Sequence, residues 1–286
     1  PASRPAAAEP TFPIQLSRPS KVGDRLTYEA IGAQRTKLTI RQAEGPPQER
    51  ETAFGIRLSG TLRILETTGN GRETKVELAV RECVVSVDKE SRPLLPRGAV
   101  LVATRGKDGT DFEVRGGPAV PPEMAEALSV VLEVPDPAGT DDDVIFGSKD
   151  RHRIGDVWPL DAAAAVKELD RVGMAAKDED VFGETAVLER VKTAGLDCLR
   201  LGIKFRARKL KSAKPNPDAT MRVVEGSYSV VGKVDYPLDK GQPAAKEETK
   251  VDSTTELDGT DADGKRVRVT RVVEKATQRN VARAAI

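Results

Sequence analysis

The feature that most constrains this chain is a two-residue rhythm of apolar and charged side chains, repeated in several long runs. In "CLRLGIKFRARKL" (198–210), Leu199, Leu201, Ile203, Phe205 and Ala207 fall on one face, and Arg200, Lys204, Arg206 and Arg208 fall on the other. Successive side chains of a strand point to opposite faces, so this pattern predicts a half-buried antiparallel strand. "FGIRLSGTLRIL" (54–65) puts Ile56, Leu58, Leu62 and Ile64 in phase. "KVELAVRECVVSV" (75–87) keeps Val76, Leu78 and Val80 in phase, then moves to Cys83, Val85 and Val87, which predicts a bulge near Arg81 and Glu82. "GNG" (69–71), "KDG" (107–109), "AGLD" (194–197) and "DGTDADG" (258–264) lie between such runs, where Gly and Asn take the positive φ that tight hairpins need. The strands are therefore expected to form meanders.

Two segments follow a helical period instead. "PPEMAEALSVVLEV" (121–134) aligns Met124, Leu128, Val131 and Leu132, begins on prolines and stops at Pro135. "DAAAAVKELDRV" (161–172) has Asp161 as N-cap and aligns Ala165, Val166, Leu169 and Val172. The acidic "PDPAGTDDD" (135–143) is the internal linker expected between halves, and "SAKPNPDAT" (212–220) and "KGQPAAKEE" (240–248) read as loops.

A short motif occurs twice. "KVGDRLTY" (21–28) and "RIGDVWPL" (153–160) share a basic residue, an aliphatic residue, Gly-Asp, any residue, then a large apolar one. Downstream, "LRILETTGNGRETKVELAV" (62–80) and "AVLERVKTAGLDCLRLGIKF" (186–205) each give a strand, a glycine turn and a longer strand. The pattern predicts two similar β-rich halves, 15–145 and 146–286, from duplication or within one continuous domain. Gly23, Asp24, Gly155 and Asp156 then serve a structural role, with Trp158 as the apolar anchor in the place of Leu26. The first 14 residues, rich in Pro and Ala, are expected to be a disordered tether.

The Gly-Asp entry, long meander strands, scarce aromatics and two central helices resemble bacterial periplasmic half-barrel proteins of the lipoprotein-carrier type, and secreted bacterial proteins of similar layout. That resemblance implies a mainly β (α+β) fold, a curved antiparallel sheet with two helices packed at the junction of the halves. It also implies an apolar cavity between sheet and helices, a lipid or other apolar ligand, and a periplasmic or extracellular location. It supplies no catalytic residue.

The remaining features argue mostly by exclusion. Basic and acidic residues number 46 and 45, so no overall field draws the chain to nucleic acid or an anionic membrane. Aromatics are 3% of residues, too few for a base-stacking groove. No run approaches the ~20 apolar residues of a spanning helix, so a soluble body is expected, attached to a membrane only through the N-terminal tether. No G-x-S-x-G or phosphate loop occurs, and His152 is the sole histidine, the one residue on which an imidazole-based hydrolase could be centred. "DGTDADG" fails the EF-hand spacing and "TDDDV" (140–144) reads as solvated, so no metal or cofactor is expected. Cys83 and Cys198 could form one disulfide or stay two buried thiols. Arg200, Lys204, Arg206 and Arg208 form a basic row, either a solvated outer face or a surface for a polyanion or partner protein. A binding or carrier module comes first among the readings, a structural or assembly component of the cell envelope acting through protein contacts second.

Overall fold

The computed structural model describes residues 10–42, 45–88, 90–107, 109–212, 221–260 and 264–284. The alternating runs become the long strands of one curved, open antiparallel sheet. In chain order the strands are β1 (Phe12–Pro13), β2 (Arg25–Gln42), β3 (Gln48–Thr67), β4 (Glu73–Val87), β5 (Glu90–Pro93), β6 (Val100–Arg105) and β7 (Thr110–Val114). Helices α1 (Pro122–Val131) and α2 (Asp142–Ile145) follow, then β8 (Arg151–His152), β9 (Val157–Pro159) and helix α3 (Ala162–Arg171). The chain ends with β10 (Met174–Ala175), β11 (Val181–Thr193), β12 (Leu196–Ser212), β13 (Met221–Pro237), β14 (Lys246–Thr260) and β15 (Arg266–Arg283).

Along the sheet the order is β7-β6-β4-β3-β2-β15-β14-β13-β12-β11-β9, so nearly every neighbour is also a sequence neighbour. The exceptions are β4 with β6 and β11 with β9, which each skip one short strand, and the long-range pairing of β15 with β2, which joins the first and last long strands into a single sheet. The short β1 and β8 pair separately, Phe12 opposite His152. Residues 10–14, expected to be part of a disordered tether, therefore belong to the fold, because Phe12 and Ile14 also pack around Trp158. Residues 1–9 lie outside the described residues.

Local chemistry explains the strand joins. Ala194 and Gly195 both have positive φ, +50° and +79°, between paired Thr193 and Leu196, the two-residue hairpin that matches strand twist. Arg81 is the extra residue where Ser59 pairs with Glu82 and Gly60 with Val80, so the bulge falls where the apolar phase changes. Val87, placed in the buried phase by sequence, is 43% exposed at the strand end. A second bulge follows Ala207, where Lys209 takes φ +51° and the next buried residue is Leu210.

The two Gly-Asp turns are built alike. Gly23 and Gly155 both have φ +91°. Asp24 Oδ2 accepts the Lys21 N–H at 3.0 Å, and Asp156 Oδ2 accepts that of Arg153 at 2.7 Å. Gly23 N–H donates to Ile64 O and Ile64 N–H to Asp24 O, while Gly155 and Asp156 make the same exchange with Val187. Leu26 and Trp158 follow at 6% and 8% exposure. Each turn thus locks the start of a strand against the strand it pairs with, β2 against β3 and β9 against β11.

Each half fills its own part of the concave face. α1 lays Leu128, Val130 and Val131 on Ala30, Ile56, Leu58 and Leu78. Its last carbonyls accept from the sheet: Tyr28 Oη donates to Val131 O, Thr277 Oγ1 to Val130 O at 3.2 Å and Lys275 Nζ to Ser129 O at 3.4 Å. A cation and hydroxyls at a helix C-terminus satisfy orphan carbonyls and oppose the negative end of the dipole. α3, capped by Asp161 accepting from Ala164 N, packs Ala165, Val166 and Leu169 against Phe205, Ala207 and Leu210.

Candidate functional site

Between the regions covered by α1 and α3, the concave face is not filled. A cavity of about 670 Å³ lies there. Its sheet wall comes from Leu26 and Tyr28 of β2, Leu62 of β3, Val234 and Tyr236 of β13, and Arg279 and Val281 of β15. Its cover is the N-terminal segment 16–20, the turn 70–73 and the segment 132–142. A second space of about 60 Å³ adjoins Leu199, Leu201 and Pro237, and Arg18 and Tyr236 line both. The resemblance implies an apolar cavity between sheet and helices. The inward faces of 54–65 and 199–207 are mostly filled by α1, α3 and the cluster around Trp158, and the large space sits between them at the seam.

Ion pairs and backbone hydrogen bonds hold the cover from both halves. Arg72 Nη1 donates to Asp136 O (3.0 Å) and Gly139 O (2.5 Å). Asp136 meets Arg105 from the first half at 3.2 Å and Arg171 from the second at 2.5 Å. The Ala138 N–H and these guanidiniums hold its carboxyl below the usual range. Glu168 Oε2 accepts the Thr140 N–H, and Asp143 accepts the Leu16 and Ser17 N–H groups. The segment 135–143, a linker by composition, is a clasp by structure.

Inside the cavity, Arg279 pairs with Glu247, its register partner, and that carboxylate raises the guanidinium pKa further. Burial raises the pKa of Tyr236. Asp142 borders the cavity without a hydrogen bond or ion pair of its side chain among the described residues. Desolvation by the surrounding walls, then Asp141, pushes its pKa up to about 6, although the residue as a whole is exposed at the cavity. Within "TDDDV", Asp143 clasps the N-terminal segment, while Asp142 is exposed where it lines the cavity.

The residues singled out in sequence lie elsewhere. His152 stacks on Trp158, ring centroids 4.0 Å apart, and its Nε2 is 2.8 Å from Ser148 Oγ. Its Nδ1 is 3.6 Å from Asp156, beyond hydrogen-bond length, and that carboxylate already closes the Gly-Asp turn. None of the three lines either cavity. Trp158 Nε1 donates to Phe146 O at 2.9 Å while the indole packs on Leu16, Val187, Leu199 and Leu201. Cys83 and Cys198 are both free and buried, so the disulfide left open by sequence is not formed: one thiol sits in the α1 core and the other beside Pro237.

The basic row is largely neutralised. Arg200 meets buried Asp235 at 2.7 Å and Glu189 at 2.9 Å, Lys204 meets Glu184 at 2.7 Å, and Arg208 lies over the Phe182 ring. Arg206 remains on the outer, exposed face. Asp258 pairs with Arg266, and Asp261 and Asp263 lie outside the described residues. Among the described residues no group of three His, Cys, Asp or Glu side chains is placed to hold a metal, and no helix is long and apolar enough to cross a membrane.

No protein-family model matches this chain, and no curated protein matches it. Solved structures similar to it include an engineered protein described by its asymmetric conductivity, 9% identical over 89% of this chain and 99% of that one, with TM-score 0.19. A mutant porin of Rh. blastica is 8% identical over 90% of this chain and 99% of its own, with TM-score 0.19. A LolA superfamily protein from Nitrosomonas europaea is 7% identical over 91% of this chain and 87% of its own, with TM-score 0.15. Similarity this weak assigns neither a family nor an activity.

Proposed function

We propose that the chain is a non-enzymatic binding or carrier module of the bacterial periplasm or cell envelope, taking a lipid or other partly apolar ligand into the cavity at the seam. The observation that carries the reading is the unfilled space of about 670 Å³ with Leu26, Leu62, Val76, Val234 and Val281 in its walls. Small-molecule sites commonly measure about 300–1,000 Å³ and combine apolar walls with a few polar groups. Water reaches this space, and an occupant with an apolar part would displace it from those apolar walls. The position of Ser148, His152 and Asp156 away from any cavity favours binding over hydrolysis.

Native mass spectrometry of protein purified gently from its source envelope tests this. The expected spectrum carries an extra mass of an apolar or amphipathic molecule, absent from Val281→Trp, whose indole fills the space. Bare wild-type protein that also takes up no added amphiphile would overturn the reading.

A further inference from the structure

Almost every guanidinium that lines the cavity is already engaged. Arg279 holds Glu247, Arg105 and Arg171 converge on Asp136, and Arg72 donates to two carbonyls. Arg18 Nη2 donates to Pro237 O at 3.0 Å, and its Nε and Nη1 are sealed beneath protein atoms, out of a ligand's reach. Carboxylates outnumber guanidiniums in the lining. The reachable lining charges without a counter-ion are therefore carboxylates: among the described residues the Asp142 and Glu133 side chains have no hydrogen bond or ion pair and Glu73 meets only the Ser20 hydroxyl, and of these Asp142 is the one that faces Tyr236.

The groups that face Asp142 come from three other elements and its own. Asp141 and Asp143 flank it, Arg72 approaches from the β3–β4 turn, Glu247 from β14, and Tyr236 across from β13. Three of those carboxylates repel it, and Arg72 is spent on the clasp. The Tyr236 hydroxyl lines the same cavity without a hydrogen-bond partner among the described residues, its ring against the Arg18 guanidinium at 5.5 Å. An unpaired carboxylate and an unpaired hydroxyl beside apolar walls are complementary to a cation on an apolar body, not to an anion.

We propose that the cavity selects amphipathic molecules whose polar end is a protonated amine, with Asp142 as its ion-pair partner, Tyr236 as a second hydrogen-bonding group and the apolar walls around the tail. This rests on the carrier reading and names its ligand class. The raised pKa of the Asp142 carboxyl agrees with it, since a bound cation relieves the penalty that burial and Asp141 impose on the anion. Binding is then pH-dependent. One pH unit below a carboxyl pKa about nine-tenths of the groups are protonated, so affinity for an amine falls by about tenfold at pH 5 relative to pH 7.5.

The test compares dodecylamine, dodecanol and dodecanoate, equal in tail length, by titration calorimetry below their aggregation concentrations. At pH 7.5 dodecylamine should bind about tenfold tighter than dodecanol, the weight of one charge-assisted contact. In Asp142→Asn that preference should shrink to within about twofold, and the wild type at pH 5 should behave like the variant. The side chain replaced makes no contact that the fold uses, and a melting temperature equal to wild type at pH 5 checks this. Dodecanoate binding as tightly as dodecylamine, or Asp142→Asn keeping the amine preference, overturns the inference and leaves the carrier reading in place. Failure of all three to bind the wild type is the failure of the carrier reading itself.

Discussion

Gly32 lies on β2 beneath the C-terminal turn of α1, and replacing it with alanine isolates what seats the helix. A Cβ there would stand 2.5 Å from Val130 Cγ1 and 2.9 Å from Val131 Cγ1, closer than carbon atoms tolerate. The φ of Gly32 is not in the left-handed region, so the constraint is space and not backbone conformation. Neither valine can turn aside easily, because β-branched side chains in a helix hold essentially one rotamer. Nor can the helix lift freely, since Tyr28, Thr277 and Lys275 hold its last carbonyls. Overpacking of this kind costs about 1–3 kcal/mol, and the lower chain entropy of unfolded alanine returns about 0.4–1 kcal/mol. A net loss of about 1–2 kcal/mol follows, a fall in Tm of roughly 2–3 °C for a chain of this size. Val130→Ala alone should also destabilise, by leaving a void, yet in the Gly32→Ala background it should cost about 1 kcal/mol less. Thermal and urea melts of the four proteins decide the matter. A Gly32→Ala protein as stable as wild type, or costs that add without coupling, would refute close approach as the reason for glycine.

Two further outcomes follow from buried chemistry. In the native protein neither thiol should react with Ellman's reagent at pH 8, because burial pushes the Cys83 pKa up to about 11 and raises that of Cys198 too, and two thiols should titrate on unfolding. A native protein with none after unfolding would mean the disulfide exists. Arg279→Met should lower stability by about 1–2 kcal/mol, between the worth of exposed and fully buried ion pairs, by leaving Glu247 alone in the cavity wall. Glu247→Gln added to it should restore most of the loss in urea unfolding, and a double variant weaker than the single would contradict that account.

Strands β3, β4 and β12 were legible because one face of each meets a helix or core cluster and the other meets water, so polarity alternates with the pleat. α1 and α3 were legible from their caps and apolar spacing, within one to three residues at each end. The bulge at Lys209 was not anticipated, although two successive charged residues, Arg208 and Lys209, shift the apolar phase to Leu210 as Arg81 and Glu82 shift it to Cys83. The pairing of β15 with β2 had no local signal, for its partners lie 225 to 257 residues apart. The cavity was illegible for a related reason. On β15 the inward phase runs Val273, Lys275, Thr277, Arg279 and Val281, and polar residues in that phase look like a solvated face unless the helix carbonyls and Glu247 that meet them are known.

That inward polarity connects the fold to the proposed function. A helix can cover only part of so wide a curved sheet, and here α1 and α3 each close over one half. At the seam, β13, β14 and β15 instead present Tyr236, Glu247 and Arg279, groups that desolvation penalises under an apolar helix but that line a solvent-reached cavity at little cost. The gap is closed over by the clasp 132–142, whose Asp136 is shared by Arg105 of one half and Arg171 of the other. The same carboxylate thus fixes the distance between the halves and the roof of the cavity. Widening the seam to admit a ligand would therefore break the Asp136 pairs, whereas the two helix-filled cores on either side could stay as they are.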